Sequence, residues 1–160
     1  VVTSSIAQYQ NDALYLVNPD FDAWTFTWSL TGNVYRQYTF DLKVTDKDGV
    51  AISTATVTLK DKFGTVIFSV TTDVNGDIVQ QTVSRGYYNQ ANGNTLQEYS
   101  PHTLTIEKAG FQKYTKVFTL SDKIVWQITL FKARPILSNA GKVAVNLSPT
   151  DPENMMIMSL

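Results

Sequence analysis

Residues 36–130 are written in alternation. Tyr38, Phe40, Leu42 and Val44 take one parity, and Thr39, Asp41, Lys43 and Thr45 the other. Successive side chains of an extended strand point to opposite faces, so this is a strand with one face buried. The pattern returns in Ala55, Val57 and Leu59, then in Val66, Phe68 and Val70 against Ile67, Ser69 and Thr71. Further strands are expected over 78–83, over 103–108 with Leu104 and Ile106 inside, over 114–120, and over 124–130 with Trp126, Ile128 and Leu130 on one face. Apolar residues do not recur at spacings of three and four, so no helix is expected in this stretch. Turn signals separate the strands: Asp46-Lys47-Asp48-Gly49, Asp61-Lys62-Phe63-Gly64, Asp73-Val74-Asn75-Gly76-Asp77 and Ala109-Gly110-Phe111. Seven short strands at this spacing predict an all-β sandwich.

Composition narrows what such a sandwich can do. The chain has 160 residues, room for one core of ordinary size plus extra segments. It has no cysteine, which excludes disulfides, thiolate nucleophiles and zinc–thiolate sites. The net charge is −1 and the basic residues are scattered, so the clustered basic face of a nucleic-acid binder is not expected. No apolar run approaches the roughly 20 residues of a helical membrane span. The first residues lack the pattern of a signal peptide, and the chain has no initiating Met, which suggests a processed or excerpted polypeptide.

The flanks differ from the centre. Residues 1–35 read as an N-terminal arm or β extension. Within them Ala13-Leu14-Tyr15-Leu16-Val17 stops at Asn18-Pro19, and Trp24, Phe26 and Trp28 alternate with threonine. Residues 36–133 are the sandwich, and 134–160 a C-terminal arm ending in the apolar run Met155, Met156, Ile157, Met158. The aromatic stripe of Trp24, Phe26 and Trp28 and the methionine-rich end are candidate subunit contacts, because exposed apolar surface of this kind seeks a partner.

Residues 38–130 resemble the carboxypeptidase regulatory-like, or prealbumin-like, β-sandwich domains. The resemblance rests on Val44-Thr45-Asp46-Lys47-Asp48-Gly49-Val50-Ala51-Ile52 with Ala55-Thr56-Val57-Thr58-Leu59. It continues in Thr71-Thr72-Asp73-Val74-Asn75-Gly76, in His102-Thr103-Leu104-Thr105-Ile106 and in Lys108-Ala109-Gly110-Phe111. Where that pattern often has Gly before the Ala of the second strand, this chain has Thr54. The resemblance implies a seven-stranded Ig-like or prealbumin-like Greek-key sandwich, here with extended N- and C-terminal arms, and an accessory rather than catalytic role.

Few constellations carry chemistry. Asp73, Asn75 and Asp77 have the spacing of the first half of a calcium loop, but the Gly and the twelfth-position Glu of that loop are missing. The favoured reading is a hairpin, with Asn75-Gly76 as a two-residue turn of positive φ; Asp46 and Asp48 could add oxygens only if both turns share one end of the sandwich. His102 is the single histidine, and Ser100 lies two residues before it without the context of a nucleophile elbow; a partly exposed structural histidine is expected. Glu98 and Glu107 are carboxylates of the type glycosidases use, and are read as surface charge. No catalytic residue and no cofactor is expected. The best binding candidate is a long polar loop over 85–101, where Tyr87, Tyr88 and Tyr99 stand with Asn89, Gln90, Asn92 and Asn94, a mixture of flat apolar rings and amides.

These features lead to one functional expectation and one alternative. The first is a non-enzymatic structural or interaction module of an extracellular assembly, a viral capsid or tail accessory (decoration or fibre) protein that docks to protein subunits through its arms. The alternative is a carbohydrate-binding or adhesive module of a cell-surface or secreted protein.

Overall fold

The computed structural model describes residues 13–19, 32–93 and 95–133. Among them the chain is all-β, in two sheets. The strands are β1 (Ala13–Val17), β2 (Asn33–Asp46), β3 (Thr56–Lys60), β4 (Val66–Thr71), β5 (Gln81–Tyr88), β6 (Gln97–Glu98), β7 (His102–Glu107), β8 (Tyr114–Phe118) and β9 (Ile124–Leu130). One sheet has five strands in the order β1-β2-β5-β6, with β9 also on β2; the other runs β4-β3-β7-β8.

Strand β2 organises the first sheet. One of its edges takes β5 in antiparallel register over Val34–Phe40. The other edge is shared by two parallel partners, β1 against Asn33–Gln37 and β9 against Phe40–Asp46. The residues of even number along β2 supply the inner face, and Tyr38, Phe40, Leu42 and Val44 are buried as the alternation predicts. They meet Ala55, Val57 and Leu59 of the second sheet, together with Leu104, Ile106, Ile124, Ile128 and Leu130. Full burial of such a side chain is worth about 1.5–3 kcal/mol, so this shared core is the main favourable term.

Two bulges displace the expected strands. The register slips at Arg36/Gln37, where Gly86 faces Arg36 and Ser84 faces Gln37, leaving Arg85 as the extra residue. A one-residue insertion inverts parity along the strand. Val83 and Tyr88 therefore both face inward although one is odd and one even, and the strand runs on to Tyr88 instead of ending at 83. The segment 85–101 is accordingly not one loop: it holds the end of β5, a 3-10 turn over Gln90–Asn92 and the short β6. The second bulge, at Leu59/Lys60, pairs Lys60 with Val66 and skips Ile67. Val66, expected inside, is exposed, and Ile67 packs against the core in its place. Strand β2 also begins earlier than Tyr38, because Arg36 masks the apolar alternation; its Nε donates to the Tyr38 hydroxyl at 2.6 Å. Strand β8 ends at Phe118, and the buried Leu120 follows it.

Three turns share one design. Oδ1 of Asp46 accepts the amides of Asp48 and Val50, Oδ1 of Asp61 those of Phe63 and Thr65, and Oδ1 of Asp73 those of Asn75 and Asp77, all at 2.8–2.9 Å. In each, the glycine three residues after the aspartate donates its amide back to the aspartate carbonyl. Those glycines, Gly49, Gly64 and Gly76, have φ of 80, 85 and 78°. Among the described non-glycine residues only Asn18 and Thr54 have positive φ, so Asn75 does not adopt the conformation of a two-residue hairpin turn. The turn is instead a four-residue one closed by a left-handed glycine, with the aspartate side chain satisfying the amides that the tight backbone leaves over.

Gly76 is the constrained member of the set. A Cβ there would lie 2.3 Å from the Val44 carbonyl oxygen, whereas one at Gly64 would meet nothing within 4 Å. Gly64→Ala should cost about 1–2 kcal/mol, the left-handed penalty alone. Gly76→Ala should cost more than about 3 kcal/mol, because the backbone of Val44 cannot yield. Urea denaturation of the two variants checks this, and equal costs would contradict the packing of that turn.

Candidate functional site: a tyrosine row on the five-stranded sheet

The outer face of the five-stranded sheet carries a row of tyrosines that crosses its strands. The parallel register of β1 and β2 sets Tyr15 opposite Tyr35, and the antiparallel register of β2 and β5 sets Tyr35 opposite Tyr87. Tyr87 faces Gln97 on β6, and Tyr99, two residues on, has the same parity. The rings are in contact along the whole row. Tyr15 and Tyr35 stack at 5.0 Å with 15° between planes; Tyr35 and Tyr87 lie 5.8 Å apart at 43°, and Tyr87 and Tyr99 6.0 Å apart at 45°. Each such contact adds about 0.5–1.5 kcal/mol to plain area burial.

The row is open to solvent at the β1 end. Tyr15 is 56% exposed and Val17, on the same face, 48%. Tyr35, Tyr87 and Tyr99 are half-buried. The side chains nearest the row in the paired registers, Ala13, Val17, Gln37, Ser84 and Gln97, carry no charge; Asp41 and Lys43 have the same parity farther along β2. Gln37 donates to the Ser84 hydroxyl at 2.9 Å and Gln97 to the Thr95 carbonyl at 3.3 Å. Partial burial, then the neighbouring Tyr35, Tyr87 and Asp61, pushes the Tyr99 hydroxyl above the ordinary tyrosine range, so it stays a neutral donor and acceptor.

An ion pair fixes the far end of the row. Arg85, the bulged residue, donates through Nε at 2.9 Å and Nη2 at 2.7 Å to Oε1 of Glu98. The bond to Glu98 is the main reason its guanidinium holds its proton more firmly than usual. Opposite Glu98 stands Gly86, where a Cβ would lie 2.2 Å from the Gln97 carbonyl oxygen. Glycine there lets β6 approach, and the approach brings Tyr99 to Tyr87.

Of the four residues expected to bind, the structure brings together two. Tyr87 and Tyr99 share the outer face. Tyr88 points the other way and is 8% exposed, because it alternates with Tyr87 along β5; it is not available to an outer ligand. Asn89 is a structural cap: its Oδ1 accepts the Asn92 amide at 2.9 Å, and its Nδ2 donates to Asn33 Oδ1 at 3.1 Å. Sequence reading missed Tyr15 and Tyr35. Their one signal is the central tyrosine in Leu14-Tyr15-Leu16 and Val34-Tyr35-Arg36, which acquires meaning only once the parallel register is known. Trp24, Phe26, Trp28, Met155, Met156, Ile157 and Met158 lie outside the described residues.

The acidic turns do share one end, since Val44 donates to the Gly76 carbonyl at 2.8 Å and the Ile52 amide to the Val44 carbonyl at 3.0 Å. Oδ1 of Asp46 and of Asp73 is taken up by the amides of its own turn. Lys43 Nζ donates to the Asn75 carbonyl at 2.7 Å and reaches both Asp77 oxygens at 3.3–3.4 Å, so an ammonium occupies the place a cation would take. The amides of Asp77 and Asn75, with Lys43 nearby, hold the Asp73 carboxyl below its usual range against a smaller effect of desolvation. No group of three or more metal-ligating residues occurs among the described residues.

Ser100 and His102 are in contact and buried. Ser100 Oγ lies 3.1 Å from His102 Nδ1 and accepts the Leu120 amide at 3.0 Å. The hydroxyl keeps a second lone pair and its own proton, so the bond to Nδ1 runs in the direction the ring tautomer sets. His102 is 0% exposed, not partly exposed as expected, and it stacks on Phe118 at 5.8 Å. Its Nε2 makes no hydrogen bond of good geometry, although the Ser84 backbone lies near enough to oppose the loss of its proton affinity. The pair ties the end of β8 to the start of β7 and meets no surface. Glu98 and Glu107 belong to different sheets, and each is paired with a basic residue, Arg85 and Lys113.

No family model matches the chain, and no curated protein matches it. Among solved structures it is similar to the TIE protein of Bacillus anthracis, at 16% identity and a TM-score of 0.44, over 64% of this chain and 19% of that one. It is also similar to 3-chlorocatechol 1,2-dioxygenase from Rhodococcus opacus 1CP, at 16% identity and a TM-score of 0.42, over 61% of this chain and 60% of that one. A third is the catechol 1,2-dioxygenase of Acinetobacter radioresistens, at 15% identity and 0.43, over 82% and 60%. The chain spans from about a fifth to three fifths of those proteins. At that overlap they assign neither a family nor an activity to it.

Burial lowers the proton affinity of His102 below its ordinary 6.5. The unfolded chain then takes up this proton first as the pH falls. Stability is fully present above 6.5 and is lost below it, by up to about 1.4 kcal/mol per pH unit until the folded-state value is reached. Denaturant titrations of the native chain and of His102→Gln between neutral and mildly acid pH check this. The slope should be present in the native chain and absent from the variant, and identical slopes would contradict it.

Proposed function

We propose that the chain is a non-enzymatic interaction module that binds a protein partner through the tyrosine row on its five-stranded sheet. One observation carries the reading: four tyrosines from four separate segments meet on an exterior face, where the side chains paired beside Tyr15, Tyr35 and Tyr87 are uncharged and Asp61 stands near the Tyr99 end. Interface cores favour tyrosine and are depleted in charge, because large rings bury area at little entropic cost. The rings stand 5–6 Å apart and pack on one another. That makes a continuous wall of rings, a shape suited to a protein surface rather than to sugar rings, which stack on separate flat faces. The setting we propose is an extracellular assembly, such as a virion surface in which the chain is a capsid or tail accessory protein. The resemblance of 38–130, read from its strand and turn residues, to accessory β-sandwich domains is what supports this setting.

Substitution of the exposed Tyr15 and of Tyr87 in the middle of the row tests the reading. Tyr15→Ser with Tyr87→Ser should leave the fold intact by circular dichroism and remove higher-order species in sedimentation velocity, at a cost of about 2–4 kcal/mol in association. Unchanged sedimentation of the double variant would contradict it. Loss of glycan-array binding in the variant, without any change in assembly, would assign the face to carbohydrate instead.

A further inference from the structure

The four-stranded sheet ends in a hollow of about 500 Å³, lined by Thr54, Thr56, Glu107, Lys108, Phe111 and Lys113. At its rim Thr54 has φ of 55°. Asparagine tolerates this left-handed region; a β-branched residue is strained there. The strain is clamped from beneath by Thr72, which is 3% exposed. Thr72 accepts the Thr54 amide on its carbonyl at 2.9 Å and the Ala55 amide on its hydroxyl at 2.9 Å, and donates that hydroxyl to the Ile52 carbonyl at 2.6 Å. A conformation of this cost persists where the surroundings over-determine it, and such places concentrate at ligand sites.

The clamp points a charge into the hollow. Lys108 Nζ donates to the Thr54 hydroxyl. Lys113 is paired with Glu107 at 2.9 Å, but among the described residues no carboxylate pairs with Lys108. Beside the Glu107–Lys113 ion pair, the hollow thus offers the Lys108 ammonium bonded to a neutral oxygen, the Thr56 hydroxyl and the ring of Phe111. An anion with an apolar body meets both requirements, through charge-assisted bonds at one end and ring contact at the other.

We propose that this hollow binds a small organic carboxylate, with its oxygens on Lys108 Nζ and the threonine hydroxyls and its apolar part against Phe111. The site is separate from the tyrosine row and does not depend on the role given to that face. It is tested on the full 160-residue chain by following backbone amide NMR shifts during titration with benzoate, with benzamide as the uncharged control. Saturable shifts at Thr54, Lys108, Ala109, Phe111 and Lys113 are expected with benzoate and not with benzamide. Lys108→Met should weaken the binding about tenfold or more. Thr54→Gly should also weaken it while raising the melting temperature by about 4 °C, because glycine relieves the strain that positions the lysine. Benzoate shifts that do not saturate, equal shifts with benzamide, or unchanged affinity in either variant would overturn the proposal.

Discussion

The pairing of β2 on both of its edges is the constraint on which the molecule depends. Fourteen residues, Asn33–Asp46, serve β5 on one edge and β1 and then β9 on the other. The inner parity of that strand supplies Tyr38, Phe40, Leu42 and Val44 to the core, and its outer parity supplies Tyr35 to the exterior row. A slip of one residue would exchange the two sets, burying polar groups and exposing the core. Core packing thus fixes the register, and the register places the tyrosines.

Two energetic regimes meet across that sheet. Inside, burial of aliphatic and aromatic side chains rewards any residue of suitable size. Outside, each tyrosine contact is worth about a kilocalorie and depends on its partner's strand being in place. The row is therefore a consequence of the fold and adds little to its stability, which is the condition for a surface that is free to bind. The Arg85–Glu98 pair and Gly86 do the local work of closing β6 onto β5, so that Tyr99 completes the row.

The sequence made the core legible and left much of the site hidden. The alternation in 38–44, 55–59, 104–106 and 124–130 named the buried residues, and the aspartate–glycine turns named the corners, because both signals are local. The bulge at Arg85 is invisible in the sequence, since an inserted residue inverts parity and leaves no composition of its own; without it Tyr87 and Tyr88 read as loop residues with one role. Tyr15 and Tyr35 were invisible as a pair for another reason. A parallel register between residues twenty apart is set by long-range pairing. Thr54 shows the reverse: the sequence marks it as standing where the resembling domains often have glycine, and its positive φ and the clamp of Thr72 beneath it are seen in the structure.

The central claim is that the tyrosine row is a covered surface when the protein is in its working assembly. Hydroxyl-radical footprinting of the chain, once in the assembly isolated from its source and once as the free protein, tests this directly. The account predicts that Tyr15, Tyr35, Tyr87 and Tyr99 are labelled in the free chain and protected in the assembly, while Phe63, which is 71% exposed on a turn, is labelled alike in both. Equal labelling of the four tyrosines in the two states would contradict it.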